Sequence, residues 1–120
     1  MPRYIRAKQE GGTFFFTVVT YRRRPIFYAA ENRRLLSQNI MEVQSVLPFT
    51  IDGWVLLPEH LHCIWTLPQG DADFSKRWGL IKAKFSSQLN SPGRPVWQNR
   101  FWEQLIRHEQ DFQTPGLYPL

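Results

Sequence analysis

His60 and His62 stand in the run Leu57-Pro58-Glu59-His60-Leu61-His62-Cys63-Ile64-Trp65, an apolar stretch with the character of a β-strand. Side chains two apart on a strand share a face. The spacing therefore sets two imidazoles side by side, with Leu61 and Cys63 turned the other way. Such a pair is a preformed two-nitrogen edge for a divalent cation, with Glu59 next door. Structural zinc sites close with four protein ligands. Two ligands point instead to a half-filled coordination sphere that also takes a substrate oxygen. In isolation, two polar residues on an exposed sheet face with no metal is the plainer reading of the pair, and Glu59 also fits a turn position. Cys63, facing away, belongs to the core.

The other side chains with chemical reach are cationic. The formal net charge is +5, and eleven of the fifteen basic residues are arginine, whose planar guanidinium suits bidentate phosphate contacts. They cluster as Arg22-Arg23-Arg24, Arg33-Arg34, Lys76-Arg77 and Lys82/Lys84. Excess positive charge suggests a nucleic acid or another polyanion; a solvated basic surface is the plain alternative. Arg22, Arg23 and Arg24 follow directly on a strand and are candidates for phosphate contact. Lys82 and Lys84 fall on a helix and are candidates for the same kind of contact. Arg100, beside Trp97, Phe101 and Trp102, suits a stacking platform for unpaired bases, although Trp102 itself fits a core position better.

The elements that must position these residues follow from pattern. Thr13 to Tyr21 is β-branched and aromatic and reads as a strand, broken by Arg22 to Pro25. From about Asn32 to Val46, with Leu47 just beyond, apolar residues recur at helical spacing until Pro48. Phe49 to Leu57 is a second strand. Pro58-Glu59 makes a tight connection, and His60 to Leu67 is a third strand, so the two should form an antiparallel hairpin. Asp71 or Asp73 caps a helix from about Phe74 to Leu89. Val96 to Ile106 is short strand or irregular structure. The order β-α-β-β-α-β predicts an α+β fold: a ferredoxin-like split βαβ sandwich, with an antiparallel sheet and helices on one face. Nucleic-acid binders often use the uncovered sheet face of such folds. Alternation does not say which face the histidines take.

The length fits one domain over residues 1–120, with a basic arm at 1–12 and an irregular tail at 114–120. No apolar segment is long enough to predict a membrane span, and the start lacks the apolar core of a signal peptide. A single cysteine fits a reducing cytoplasm.

Five blocks carry a family likeness: Gly12-Thr13-Phe14-Phe15-Phe16-Thr17-Val18; Trp54-Val55-Leu56-Leu57-Pro58-Glu59-His60-Leu61-His62; Trp65-Thr66-Leu67-Pro68; Asp71-Ala72-Asp73-Phe74-Ser75 with Arg77-Trp78; and Trp97-Gln98-Asn99-Arg100-Phe101-Trp102-Glu103. In this order they resemble the REP-associated tyrosine transposases, a branch of the single-tyrosine HUH transposases. The likeness runs from Gly11 to Gln113, leaving 13–113 as the family-like core. It implies a bacterial, nucleoid-associated endonuclease and strand transferase. The substrate would be single-stranded DNA, in repeated extragenic palindromes folded as hairpins. It implies Mg²⁺ or Mn²⁺ on His60 and His62, polarising the scissile phosphate. A tyrosine hydroxyl would attack phosphorus to give a 5′-phosphotyrosine and a free 3′-OH.

The family's nucleophile lies on a C-terminal helix, in a Tyr-Ile-His-x-Asn-Pro-like segment after an Asp-Phe element. Here Asp111-Phe112-Gln113 is followed by Thr114-Pro115-Gly116-Leu117-Tyr118-Pro119-Leu120, whose prolines and glycine oppose a helix. One synonymous coding of that tail, ACG CCT GGA CTA TAT CCA CTT, reads Arg-Leu-Asp-Tyr-Ile-His when shifted by one base. A frameshift that truncated the family pattern is therefore expected, and sequencing the locus checks it. Tyr118 is a poor substitute nucleophile, because catalytic groups need a rigid support. Tyr4 and Arg6 belong to the basic arm, and Tyr21 and Tyr28 precede the motif. The expectation is a transposase-like domain of impaired catalysis, its standing as an enzyme open. The alternatives are a hairpin DNA- or RNA-binding module, or a hydrolase that activates water with Glu59 as base. Monomer and homodimer both remain open.

Overall fold

Three consecutive phenylalanines occupy a strand with neighbours on both sides. In the computed structural model, which describes residues 10–89 and 93–106, β1 spans Thr13–Val19. It pairs antiparallel with β3 (His60–Thr66) and with β4 (Trp102–Ile106). An outer strand, β2 (Thr50–Leu56), pairs antiparallel with β3. The sheet order is β2-β3-β1-β4. The crossover helices are α1 (Ala30–Val46) and α2 (Phe74–Gln88). This is the split βαβ sandwich that the pattern predicts.

Alternation divides the sheet's residues between its faces. Phe14, Phe16 and Val18 of β1 join Leu61, Cys63 and Trp65 of β3 against Leu36, Ile40 and Val43 of α1 and Phe74, Trp78, Ile81 and Phe85 of α2. Trp65 and Trp78 stack with centroids 4.4 Å apart, and Phe49 lies 4.1 Å from Trp65. Burying each such side chain contributes roughly 1.5–3 kcal/mol, so β1 and β3 form a firm platform. Cys63 is core, as expected, and burial pushes its thiol well above the ordinary range. On the other face Phe15 and Ile106 make a small second cluster with Ile64.

Local departures from the expected boundaries have identifiable causes. β1 stops at Val19 because Thr20 turns its hydroxyl to the carbonyls of Arg24 and Glu59, at 2.8 and 3.0 Å. Arg22 and Arg23 then take φ of 52° each, which folds the chain into short 3₁₀ turns at Tyr21–Arg23 and Ile26–Tyr28. Only Trp102–Ile106 of the expected 96–106 segment is strand. Asp52 is bulged out of the β2–β3 ladder, and Thr66 Oγ1 donates to its Oδ2 at 2.6 Å.

The cluster Lys76-Arg77 does not stand together at the surface. Asp73 caps α2, accepting from the Lys76 N–H at 3.0 Å. Arg77 is buried, donating to Asp71 Oδ1 and Oδ2 at 3.1 and 2.9 Å and to the carbonyls of Leu47, Pro48 and Asp73. It ties the start of α2 to the α1–β2 connection. Hydrogen bonds from Arg77 hold the Asp71 carboxyl below its usual range. No helix among the described residues is long and apolar enough to cross a membrane.

Candidate metal and nucleic-acid site

Strand alternation in β3 does what the spacing predicts. The His60 and His62 rings share the face that the helices leave uncovered, with centroids 4.8 Å apart and planes at 80°. The expected open edge needs correction, because the two residues are only 5% and 6% exposed. Phe15 stacks on His62 at 5.5 Å, and each ring has an oxygen at its inner nitrogen. Glu59 Oε1 lies 2.9 Å from His60 Nδ1, and Thr17 Oγ1 lies 2.9 Å from His62 Nδ1.

An ionised carboxylate only accepts, so His60 Nδ1 donates to Glu59 and the neutral ring keeps its lone pair on Nε2. An oxygen partner behind one nitrogen is the usual support for an imidazole that ligates a metal through the other. Glu59 is thus more than a turn residue: it sets the tautomer of His60. Its carboxylate also lies 3.9 Å from the Arg23 guanidinium. The pair fits part of a coordination sphere only, since no group of three or more His, Cys, Asp or Glu forms a metal cluster among the described residues.

The register extends this site across the sheet. Val55, His62, Thr17 and Trp102 are successive cross-strand partners and form one row over four strands. Trp102 is 60% exposed, which corrects the core position expected for it. It opens β4, an edge strand, on the uncovered face. Trp97 is the buried ring, packed on Phe27 and Phe85, and Phe101 packs against the main core. The expected aromatic platform thus reduces to one exposed ring. Arg100 is exposed and lines a cavity of about 220 Å³ with Thr17, Val19, Gln98, Phe101 and Trp102.

The basic residues divide by layer. Arg22 and Arg23 are exposed on the turn beside Glu59, Arg22 lying 5.4 Å from the Tyr21 ring centroid. Arg24 Nη1 donates to the Pro95 carbonyl at 2.7 Å. Lys82 Nζ donates to the Gln98 carbonyl at 3.0 Å. Lys84 pairs with Glu42 of α1 at 3.4 Å, in the helical layer. Tyr118, Tyr4 and Arg6 lie outside the described residues. Sequence reasoning missed Thr17 and Gln98; the signal for Thr17 was its register opposite His62, 45 residues away.

No protein-family model matches the chain. The REP-associated tyrosine transposase of Escherichia coli (strain K12) is 44% identical to it over 113 residues, spanning 94% of this chain and 67% of that relative. The chain belongs to the REP-associated tyrosine transposase family. A Haemophilus influenzae relative carrying the same family name is 31% identical over 126 residues, covering 92% of this chain and 69% of its own length. A solved structure of a REP-associated tyrosine transposase bound to a REP hairpin matches with a TM-score of 0.81 at 44% identity, over 94% of this chain and 67% of that one. A crystal structure of a Deinococcus radiodurans protein shares the fold, with a TM-score of 0.67 at 14% identity over 94% and 90% of the two chains. In this member of the family, the histidine pair and the arginine turn converge at one end of the uncovered sheet face.

Proposed function

We propose that this chain binds palindromic, REP-type hairpin DNA over the uncovered sheet face and the arginine turn, with an unpaired strand led to His60 and His62. The same-face imidazole pair carries the reading. Support comes from the 44% identity to a REP-associated tyrosine transposase and the likeness to a relative solved on a REP hairpin. Arg22, Arg23, Arg24 and Arg100 supply phosphate contacts, for which Arg forks are well shaped, and Lys82, on α2 and bonded to the Gln98 carbonyl, adds its charge from the helical side. Lys84 joins them only where a stem reaches the helical layer, and there Glu42 competes for its charge.

A divalent cation fits the donor set in part. His60 and His62 would hold Mg²⁺ or Mn²⁺, which when bound draws charge from a phosphate oxygen. The chain's own contribution is orientation. Glu59 keeps the His60 proton on Nδ1, Thr17 fixes the turn of the His62 ring, and Phe15 braces that ring from one side.

The family's reaction transfers a phosphoryl bond from a DNA 3′-oxygen to a tyrosine oxygen, leaving a 5′-phosphotyrosine and a free 3′-OH. We infer that this step is impaired here. The segment after Asp111-Phe112 departs from the family's Tyr-Ile-His-x-Asn-Pro pattern, and its tyrosine, Tyr118, stands among Pro115, Gly116 and Pro119, residues that oppose the helix on which a near-attack geometry would rest.

One assay tests the reading. Labelled single-stranded palindromic DNA is incubated with the protein and Mn²⁺, and bound, cleaved and covalent species are resolved. The expected result is hairpin binding with little cleavage. A covalent adduct that disappears in Tyr118→Phe overturns the impairment. Cleavage without an adduct assigns water as the nucleophile. Failure to bind the hairpin overturns the reading itself.

A further inference from the structure

The segment that leads into β4 meets the end of β1 twice, with a gap between. Gln98 N–H donates to the Val19 carbonyl at 3.0 Å, Tyr21 N–H to the Val96 carbonyl at 2.9 Å, and Trp97 bridges to Thr20. Lys82 and Trp97 pin the segment from the helical side, through Lys82 Nζ to Gln98 O and Trp97 Nε1 to Lys82 O at 3.2 Å. The ladder resumes where Trp102 faces Thr17. Asn99, Arg100 and Phe101 step out between these anchors, over a stretch where β1 advances by Val18 alone. Extra residues on one strand re-aim side chains and open the sheet edge, often next to active sites. The result is the cavity of about 220 Å³ lined by Thr17, Val19, Gln98, Arg100, Phe101 and Trp102.

Its position and chemistry point to one kind of ligand. Thr17 lines the cavity and also contacts His62 Nδ1, so the cavity and the imidazole pair share a wall. Trp102 stands two strands from His62 in the same row, about 10 Å at the usual strand spacing, a distance that one nucleotide spans between its base and a neighbouring phosphate. Val19 and Phe101 are apolar. Trp102 offers a π face, Gln98 an amide with donor and acceptor side by side, and Arg100 a cation. No described carboxylate lines the space. An apolar face, a hydrogen-bonding edge and a nearby anion are the three features of a nucleotide, and an amide reads base edges of that kind.

We propose that this cavity takes one unpaired nucleobase of the strand that reaches His62, stacked on Trp102, its edge met by Gln98 and its phosphate by Arg100. The inference rests on the proposed hairpin reading, and supplies the subsite beside the histidines.

The test is fluorescence anisotropy with a labelled palindromic hairpin, blunt or carrying an unpaired flank. Trp102→Ala should weaken the flanked hairpin about tenfold, the loss of one base–aromatic stack, and leave the blunt hairpin unchanged. Trp102→Phe should keep most of the affinity. A single abasic site moved along the flank should reproduce the loss at one position, and add little in Trp102→Ala, as coupled partners do. Equal losses for both hairpins, or a flank with no sensitive position, overturn the subsite while leaving hairpin binding intact. If the wild type binds neither hairpin, the broader reading fails, and the flank oligonucleotide alone decides the subsite. Binding that depends on Trp102 upholds it, and no binding overturns it. Should Trp102→Ala unfold, Trp102→Phe and the abasic scan carry the same decision.

Discussion

At the residue scale, the two oxygens behind the imidazoles are the most testable contacts. Thr17→Val keeps the shape of the side chain but removes the oxygen at His62 Nδ1. Loss of such an outer partner typically lowers metal affinity about 10–100-fold, so calorimetric titration with Mn²⁺ should show a fall of that order. An unchanged affinity would detach Thr17 from the proposed cation site. Asp71 gives a second case. Its folded pKa lies below the unfolded value, first because Arg77 hydrogen-bonds to its carboxylate. The stabilisation is therefore present above the unfolded pKa and is lost as pH falls through the lowered folded value. Asp71→Asn should flatten the acid limb of a urea-midpoint profile and leave its neutral slope alone. The histidines were legible because a period of two is local. Thr17 was not, since its contact depends on register, nor was the burial of Arg77, since charge in a sequence says nothing of depth.

Among the elements, strands and helices were readable from periodicity, and so was the antiparallel hairpin across Pro58-Glu59. The irregular pieces were not. The bulge at Asp52 and the excursion at 99–101 each insert residues without altering composition, and the second of these frees Trp102 from the core. The arginine turn carries its own cost. A left-handed backbone at a residue with a Cβ costs roughly 1–2 kcal/mol, while glycine forfeits about 0.5–1 kcal/mol to chain entropy. Arg22→Gly should therefore hold stability or raise it by up to about 1 kcal/mol in urea unfolding. The same change should reduce the salt slope of hairpin binding by about one unit if Arg22 meets a phosphate. A clear loss of stability would mean that packing on Tyr21 outweighs the strain.

For the whole molecule, the net charge of +5 is unevenly used. In the helical layer Arg77 and Lys84 face Asp71 and Glu42, whereas Arg22, Arg23 and Arg100 are exposed around the uncovered sheet face. Hairpin affinity should fall linearly with the logarithm of salt concentration. Arg23→Ala should shallow that line more than Lys84→Ala; equal effects would mean that DNA wraps both layers. Cys63 adds an unforced consequence. Its thiol follows His62 directly in sequence, on the reverse of the strand, and burial opposes its ionisation. An alkylating reagent can reach it only when that strand parts from its neighbours. The rate of thiol modification is thus an internal clock for the opening of β3, and a cation or oligonucleotide that grips the far side should slow it.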